Sequence, residues 1–258
     1  MEADWGVFVV IVAEHILILA LHVDDCMITG SSSSLVKAFK DENGAHFWIT
    51  DLGLISWLFG MKVIRDHKKC IISLSQEPYV NTILAKYNFT DIKPVAILIN
   101  PHAQLLDKQS PKTTNEIAHM QNIPYHQAVR LLIYLTAGTW PDIAFATSFV
   151  GQFNNNPGWE HWKAVKWIYK YLSGTKTLAL MFGMQTKGLI RYVNVDGATQ
   201  EHRHTITDFA FLIDGGAILW GSKKQELVML SMAESEYVAT THAAKEAIWL
   251  WRLIREML

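Results

Sequence analysis

Apolar residues along this chain recur in two spacings, every second position in some segments and every third or fourth in others, which separates strands from helices. From Ile16 to Ile28 the run ILILALHVDDCMI sets two adjacent aspartates between aliphatic segments and ends at Thr29-Gly30, before four serines. It predicts a strand, a tight acidic turn and a second strand. Residues Val7 to Leu21 are the most apolar part of the chain. They fall short of the roughly 20 residues of a membrane-spanning helix, and Glu14 and His15 interrupt them, so two buried strands joined at that point are expected. Asp51 to Gly60, the alternating Met61 to Ile64 and then Cys70 to Leu74 predict a further hairpin and its continuation. After Ser75 the period becomes helical: Pro78 suits a first turn, and Val80, Ile83, Leu84 and Tyr87 follow at helix spacing.

Asn88 to Pro124 holds Pro94, Pro101 and Pro111 among polar residues, which predicts a long extended connection. Three helical patterns come next. They run through Ala128, Leu131, Leu132 and Leu135, through Ile143, Ala146, Val150 and Phe153, and through Trp162, Val165, Tyr169 and Leu172. Short loops between them imply a compact bundle. Leu178 to Phe182, Leu189 to Asp196, Thr207 to Ile213 and Ala217 to Trp220 then read as strands between glycine-containing turns. Ser231-Met-Ala-Glu234 has the form of a capping box opening one long helix through Val238, Ala243 and Trp249. Strands joined to helices in this order give an α+β fold, divided into segments 1–100, 101–176 and 177–258.

With half of its 258 residues hydrophobic and 18% charged, the chain can bury one large core or two modest ones. A net charge of −1 gives no overall attraction to nucleic acid, so any such contact must be a local patch. Cys26 and Cys70 lack metal-ligand spacing and are too few for a disulfide framework. A reducing intracellular compartment, cytoplasmic or nuclear, is the expectation, with no signal peptide and no membrane association.

Asp24 and Asp25 at a hairpin turn could hold divalent metal ions, although two carboxylates alone are usually too few. Lys163, Lys166 and Lys170 fall on one helical face, with Trp162, Val165 and Tyr169 on another. That face could follow a phosphate backbone, or be an ordinary solvated lysine face diluted by Glu160. Lys223 and Lys224 form a weaker basic turn. The ten tryptophans are expected mainly in cores, and His202, His204 and Asp208 fit no common metal spacing.

The run Leu21-His-Val-Asp-Asp-Cys-Met-Ile-Thr-Gly30 resembles the Tyr-Val-Asp-Asp hairpin of copia-type reverse transcriptases. Further matches follow in the family's order: Asp51-Leu-Gly53, Leu58-Phe-Gly60, Leu74-Ser-Gln76, Pro141-Asp-Ile143, His161-Trp162 and Tyr171-Leu-Ser-Gly-Thr175. Trp220, Ser222-Lys-Lys-Gln225, Glu234-Ser-Glu-Tyr237 and Lys245-Glu-Ala-Ile-Trp-Leu250 resemble the family's ribonuclease H part. The resemblance implies a retrotransposon Pol polyprotein. Residues 1–100 would be the end of the reverse-transcriptase palm and the start of the thumb, 101–176 a helical thumb or connection, and 177–258 a truncated ribonuclease H-like domain. It also implies magnesium at Asp24 and Asp25 and at the second cluster, and RNA, DNA or an RNA–DNA hybrid as partner, with other polyprotein segments as further candidates.

Departures from the family pattern point to lost catalysis. His22 stands in the usual tyrosine position, Trp140 in place of an arginine and Arg130 in place of a glycine. Asn194 occupies the position of the family's first-strand aspartate, with Asp196 two residues on as a displaced substitute and Glu236 matching the catalytic glutamate. The family's earlier polymerase aspartate would lie upstream of Met1, and a later ribonuclease aspartate beyond Leu258. Neither polymerase nor ribonuclease activity is therefore expected, and open sheet edges are expected to favour self-association.

Overall fold

A computed structural model describes residues 1–100, 104–183, 188–196, 205–226, 228 and 231–257, without the side chain of Asp196. His202 and His204 lie outside the described residues. The chain divides into two compact units, Met1–Leu54 with Thr240–Leu258, and Ile55–Ala239.

In the first unit, β1 (Val7–Val12), β2 (His15–His22) and β3 (Asp25–Gly30) form an antiparallel meander. Its two tight turns begin with left-handed residues, Ala13 and Val23. The strands lie where the apolar pattern sets them, but they are not buried. Among the described residues of this sheet only the Leu17 side chain is fully covered, while Phe8, Val10, Ile11 and Val12 are all exposed. Runs apolar on both faces suit a doubly covered sheet, and here the cover extends over only part of it.

The serine run starts a helix that the sequence reading passed over. In α1 (Ser33–His46) the Ser32 hydroxyl accepts from the Leu35 N–H at the N-cap. None of its residues is fully buried, so the apolar period that would reveal it is weak. Lys40 then pairs with Asp51 at 2.9 Å, and Asp51 also accepts from the Gly53 N–H, closing the following loop. The last helix, α7 (Met232–Met257), contributes its C-terminal part to this unit. There the Trp249 indole donates to the Ala3 carbonyl, and Glu256 accepts from the Ala3 N–H.

The second unit holds the main core. Antiparallel strands β4 (Trp57–Leu58), β5 (Met61–Asp66), β6 (Ile71–Ser75) and β7 (Leu180–Phe182) make one sheet, so a strand after the helices completes a sheet begun before them. Helices α2 (Glu77–Lys86), α4 (Tyr125–Gly138), α5 (Ala144–Gly151) and α6 (Trp159–Thr175) bury Val80, Ile83, Leu132, Leu135, Val150 and Leu172 in one cluster. The 88–124 connection is not wholly extended. It contains a 3-10 turn, Asp107–Gln109, and a helix, α3 (Thr114–Gln121). A capping box starts that helix: the Thr113 hydroxyl accepts from the Glu116 N–H, and Glu116 accepts from the Thr113 N–H.

The remaining strands, β8 (Ile190–Asp196), β9 (Ile206–Ile213) and β10 (Gly216–Lys224), pair antiparallel with β9 in the middle. Ser231 caps α7 as its pattern predicts, accepting from the Glu234 N–H. The tryptophans depart from expectation. Trp140 and Trp162 are buried, but Trp5, Trp48, Trp57, Trp159, Trp249 and Trp251 are exposed. Helical spacing sets a residue's face without guaranteeing that anything covers it.

Candidate metal and nucleic-acid sites

The paired aspartates follow from the hairpin that carries them. Asp24 sits in the β2–β3 turn, and Asp25 opens β3 opposite His22. Both are exposed, next to Val23, whose backbone φ of 54° is unusual for a β-branched residue. Solvent-facing carboxylates at a tight turn can meet a hydrated cation. Among the described residues no three histidine, cysteine, aspartate or glutamate side chains come together as a metal-holding group.

Register decides the second constellation. Asn194 on β8 stands opposite Asp208 on β9, which stands opposite Ser222 on β10, so the three share one sheet face. Tyr192, Ala210 and Trp220 lie on that same face, and the Trp220 indole donates to the Thr136 carbonyl of α4. Val195 and Thr207 belong to the opposite face. There a buried polar network forms. Gln225 donates to the Thr207 hydroxyl and the Ser235 carbonyl and accepts from the Thr205 hydroxyl.

That network ties the first turn of α7 to the Thr207 face. Glu236 follows that turn and is exposed, while Asn194 belongs to the other face of the sheet. Asp196 ends β8 opposite Ile206, and its side chain lies outside the described residues. Asp208, which sequence spacing set aside, is the carboxylate that pairing puts beside Asn194. Only the strand register could reveal it.

The lysine face of α6 exists, and its cations are already engaged. Lys163 pairs with Glu160 at 2.7 Å. Lys166 Nζ lies 4.7 Å from the Trp159 ring centroid, and Lys170 Nζ lies 5.6 Å from that of Trp167. Burial, with like charge from Lys170 and Lys163, lowers Lys166 below the usual lysine range. Lys223 is exposed and Lys224 half-buried at the end of β10.

A cavity of about 300 Å³ opens between α3 and the start of α6, lined by Asn115, Glu116, His119 and Trp159 among others. The His119 and Trp159 rings are 5.3 Å apart and tilted by 58°. Sequence reading missed it because its walls lie some 40 positions apart. His161, beneath the same helix start, is fully buried. Its Nδ1 accepts from the Gly158 N–H, its Nε2 meets the Leu106 carbonyl at 3.2 Å, and its ring stacks on Phe153. Burial lowers its pKa, so it is a neutral packing residue.

Residues 1–101 match the reverse transcriptase (RNA-dependent DNA polymerase) family. The chain is 40% identical, over 94% of its length, to the retrovirus-related Pol polyprotein from transposon TNT 1-94 of Nicotiana tabacum. It belongs to the retrotransposon Pol polyprotein family. A second Pol polyprotein, from transposon RE1 of Arabidopsis thaliana, is 29% identical over 99% of the chain. The chain spans only 18% and 17% of these two relatives. Half of it, 51%, is also 40% identical to the secreted RxLR effector protein 161 of Plasmopara viticola, covering 94% of that protein. No solved structure matches it.

Reverse transcriptases bind nucleic acid and use divalent metal ions. Among the described residues no helix is long and apolar enough to cross a membrane.

Proposed function

We propose that this Pol segment contacts nucleic acid without catalysing nucleotidyl transfer or RNA hydrolysis. One observation carries the reading: the neutral Asn194 stands where the resemblance puts a metal-binding aspartate, on the sheet face opposite the one to which Gln225 ties the start of α7 and its Glu236. Two-metal hydrolysis needs carboxylates converging on both the attacking and the leaving oxygen. A neutral amide in place of a carboxylate does not supply them. In relatives, Asp24, Asp25, Asp196 and Glu236 would be the magnesium ligands. Here they are a remnant, which supports the loss of both activities.

The nucleic-acid contact rests on Lys163, Lys166 and Lys170, with Lys223 and Lys224 as a secondary basic turn. Lysines parked on aromatic rings keep their charge near the surface and can exchange a ring for a phosphate. Residues 1–100 correspond in this reading to the end of a palm and the start of a thumb, 101–176 to a helical connection, and 177–258 to a ribonuclease H-like domain. Its setting is intracellular, cytoplasmic or nuclear, beside other parts of a polyprotein.

The full chain tests the proposal directly. No primer extension on an RNA template, and no cleavage of an RNA–DNA hybrid, is expected with magnesium or manganese. Cleavage lost on Glu236→Gln, or extension lost on Asp24→Asn, would contradict it. Binding to oligonucleotides should weaken steeply with salt, and Lys163→Gln with Lys170→Gln should lower both the affinity and the salt slope.

A further inference from the structure

Resting on that nucleic-acid reading, we propose that the cavity between α3 and the start of α6 takes one unpaired base, so that the lysine face selects single-stranded nucleic acid over duplex. At about 300 Å³ the cavity lies at the small end of ligand pockets, the scale of a single base. One wall is Trp159, 42% exposed, and another is the His119 ring 5.3 Å away. An aromatic wall stacks on any base, because every base has a π-face. Asn115 adds an amide that can both donate to and accept from a base edge.

The cations fix what kind of ring enters. Lys166 lies two turns along α6 from Trp159 on the same face, with its ammonium held 4.7 Å from the ring. Lys170 continues that line one turn further, and Lys163 begins it. A base that stacks on Trp159 takes the place of the Lys166 ammonium on that ring, which frees Lys166 for the base's own phosphate and leaves Lys163 and Lys170 for its neighbours. A peptide's aromatic side chain would fill the same space without using this row of charge. A duplex, whose bases stay paired and stacked, presents phosphates to the lysines and leaves the cavity empty.

Fluorescence anisotropy with the full chain and three labelled 15-residue probes tests this: a single-stranded oligodeoxynucleotide, the same sequence as a blunt duplex, and an abasic strand of equal charge. The single strand should bind roughly tenfold more tightly than either other probe, the effect of one stacked base. Trp159→Ala should erase that preference, and Trp159→Phe should restore most of it. An unchanged melting temperature confirms that each variant is folded. Equal affinity for all three probes, untouched by Trp159→Ala, overturns the cavity proposal alone. Absence of binding to every probe overturns the nucleic-acid reading with it.

Discussion

At the residue scale, His161 shows how a family-motif histidine can be a packing residue. Its neutral ring accepts at Nδ1 and is stacked on Phe153, so protonation in place would cost a hydrogen bond and desolvate a charge. Because the folded pKa is lowered, the unfolded chain binds more protons once the pH falls below about 6.5. The stability contributed by this residue is therefore present above that value and is lost as the pH drops towards the folded pKa. The melting temperature should fall between pH 7.5 and 5.5, and a folded His161→Gln variant should show a smaller fall over the same interval. An equal fall in both proteins would remove His161 as the cause. Gln76 illustrates the same economy. Its amide oxygen accepts from the Thr139 N–H and hydroxyl, and a methyl group on Gly138 would collide with it.

At the scale of elements, β1 carries the clearest liability. It lies at the edge of its sheet, its six residues VFVVIV carry no charge, and Ile11 is 63% exposed. An unpaired edge with apolar side chains invites pairing with another chain. Concentration-dependent self-association is the expected behaviour in light scattering, and Ile11→Lys should reduce it. If Ile11→Lys leaves the scattering unchanged, self-association does not run through this strand. By contrast α3, hidden from the sequence reading by the prolines around it, starts with two reciprocal capping bonds and places Asn115 and His119 at the cavity.

At the scale of the whole molecule, the hydrophobic cluster from Val80 to Leu172 lies within the Ile55–Ala239 unit, whereas the β1–β3 sheet has only Leu17 fully covered among its described residues. Stability should be distributed accordingly. Leu132→Ala, at a fully buried position, should cost about 2–5 kcal/mol in urea unfolding. Phe8→Ala, at an exposed position, should cost less than about 1 kcal/mol. Hydrogen exchange should find the longest-protected amides in α4 and α6 and faster exchange in β1. Equal protection across the two units would show that the sheet is covered by something beyond these residues.

The sequence by itself determined the order of the strands and of the core helices, the hairpin holding Asp24 and Asp25 and the family, because these depend on period, caps and linear motifs. Val80, Ile83 and Leu84, and then Leu132, Leu135 and Leu172, sit in the core at the positions their spacing predicts. Helices α1 and α3 escaped because polar and proline-rich surroundings mask short amphipathic segments. Tertiary structure alone decided which face Asn194 shares with Asp208, that β7 pairs with β6, that most tryptophans stay at the surface, and that His119 meets Trp159. Those are distances between residues far apart in the chain, set by strand register and helix packing, and a linear pattern holds no record of them.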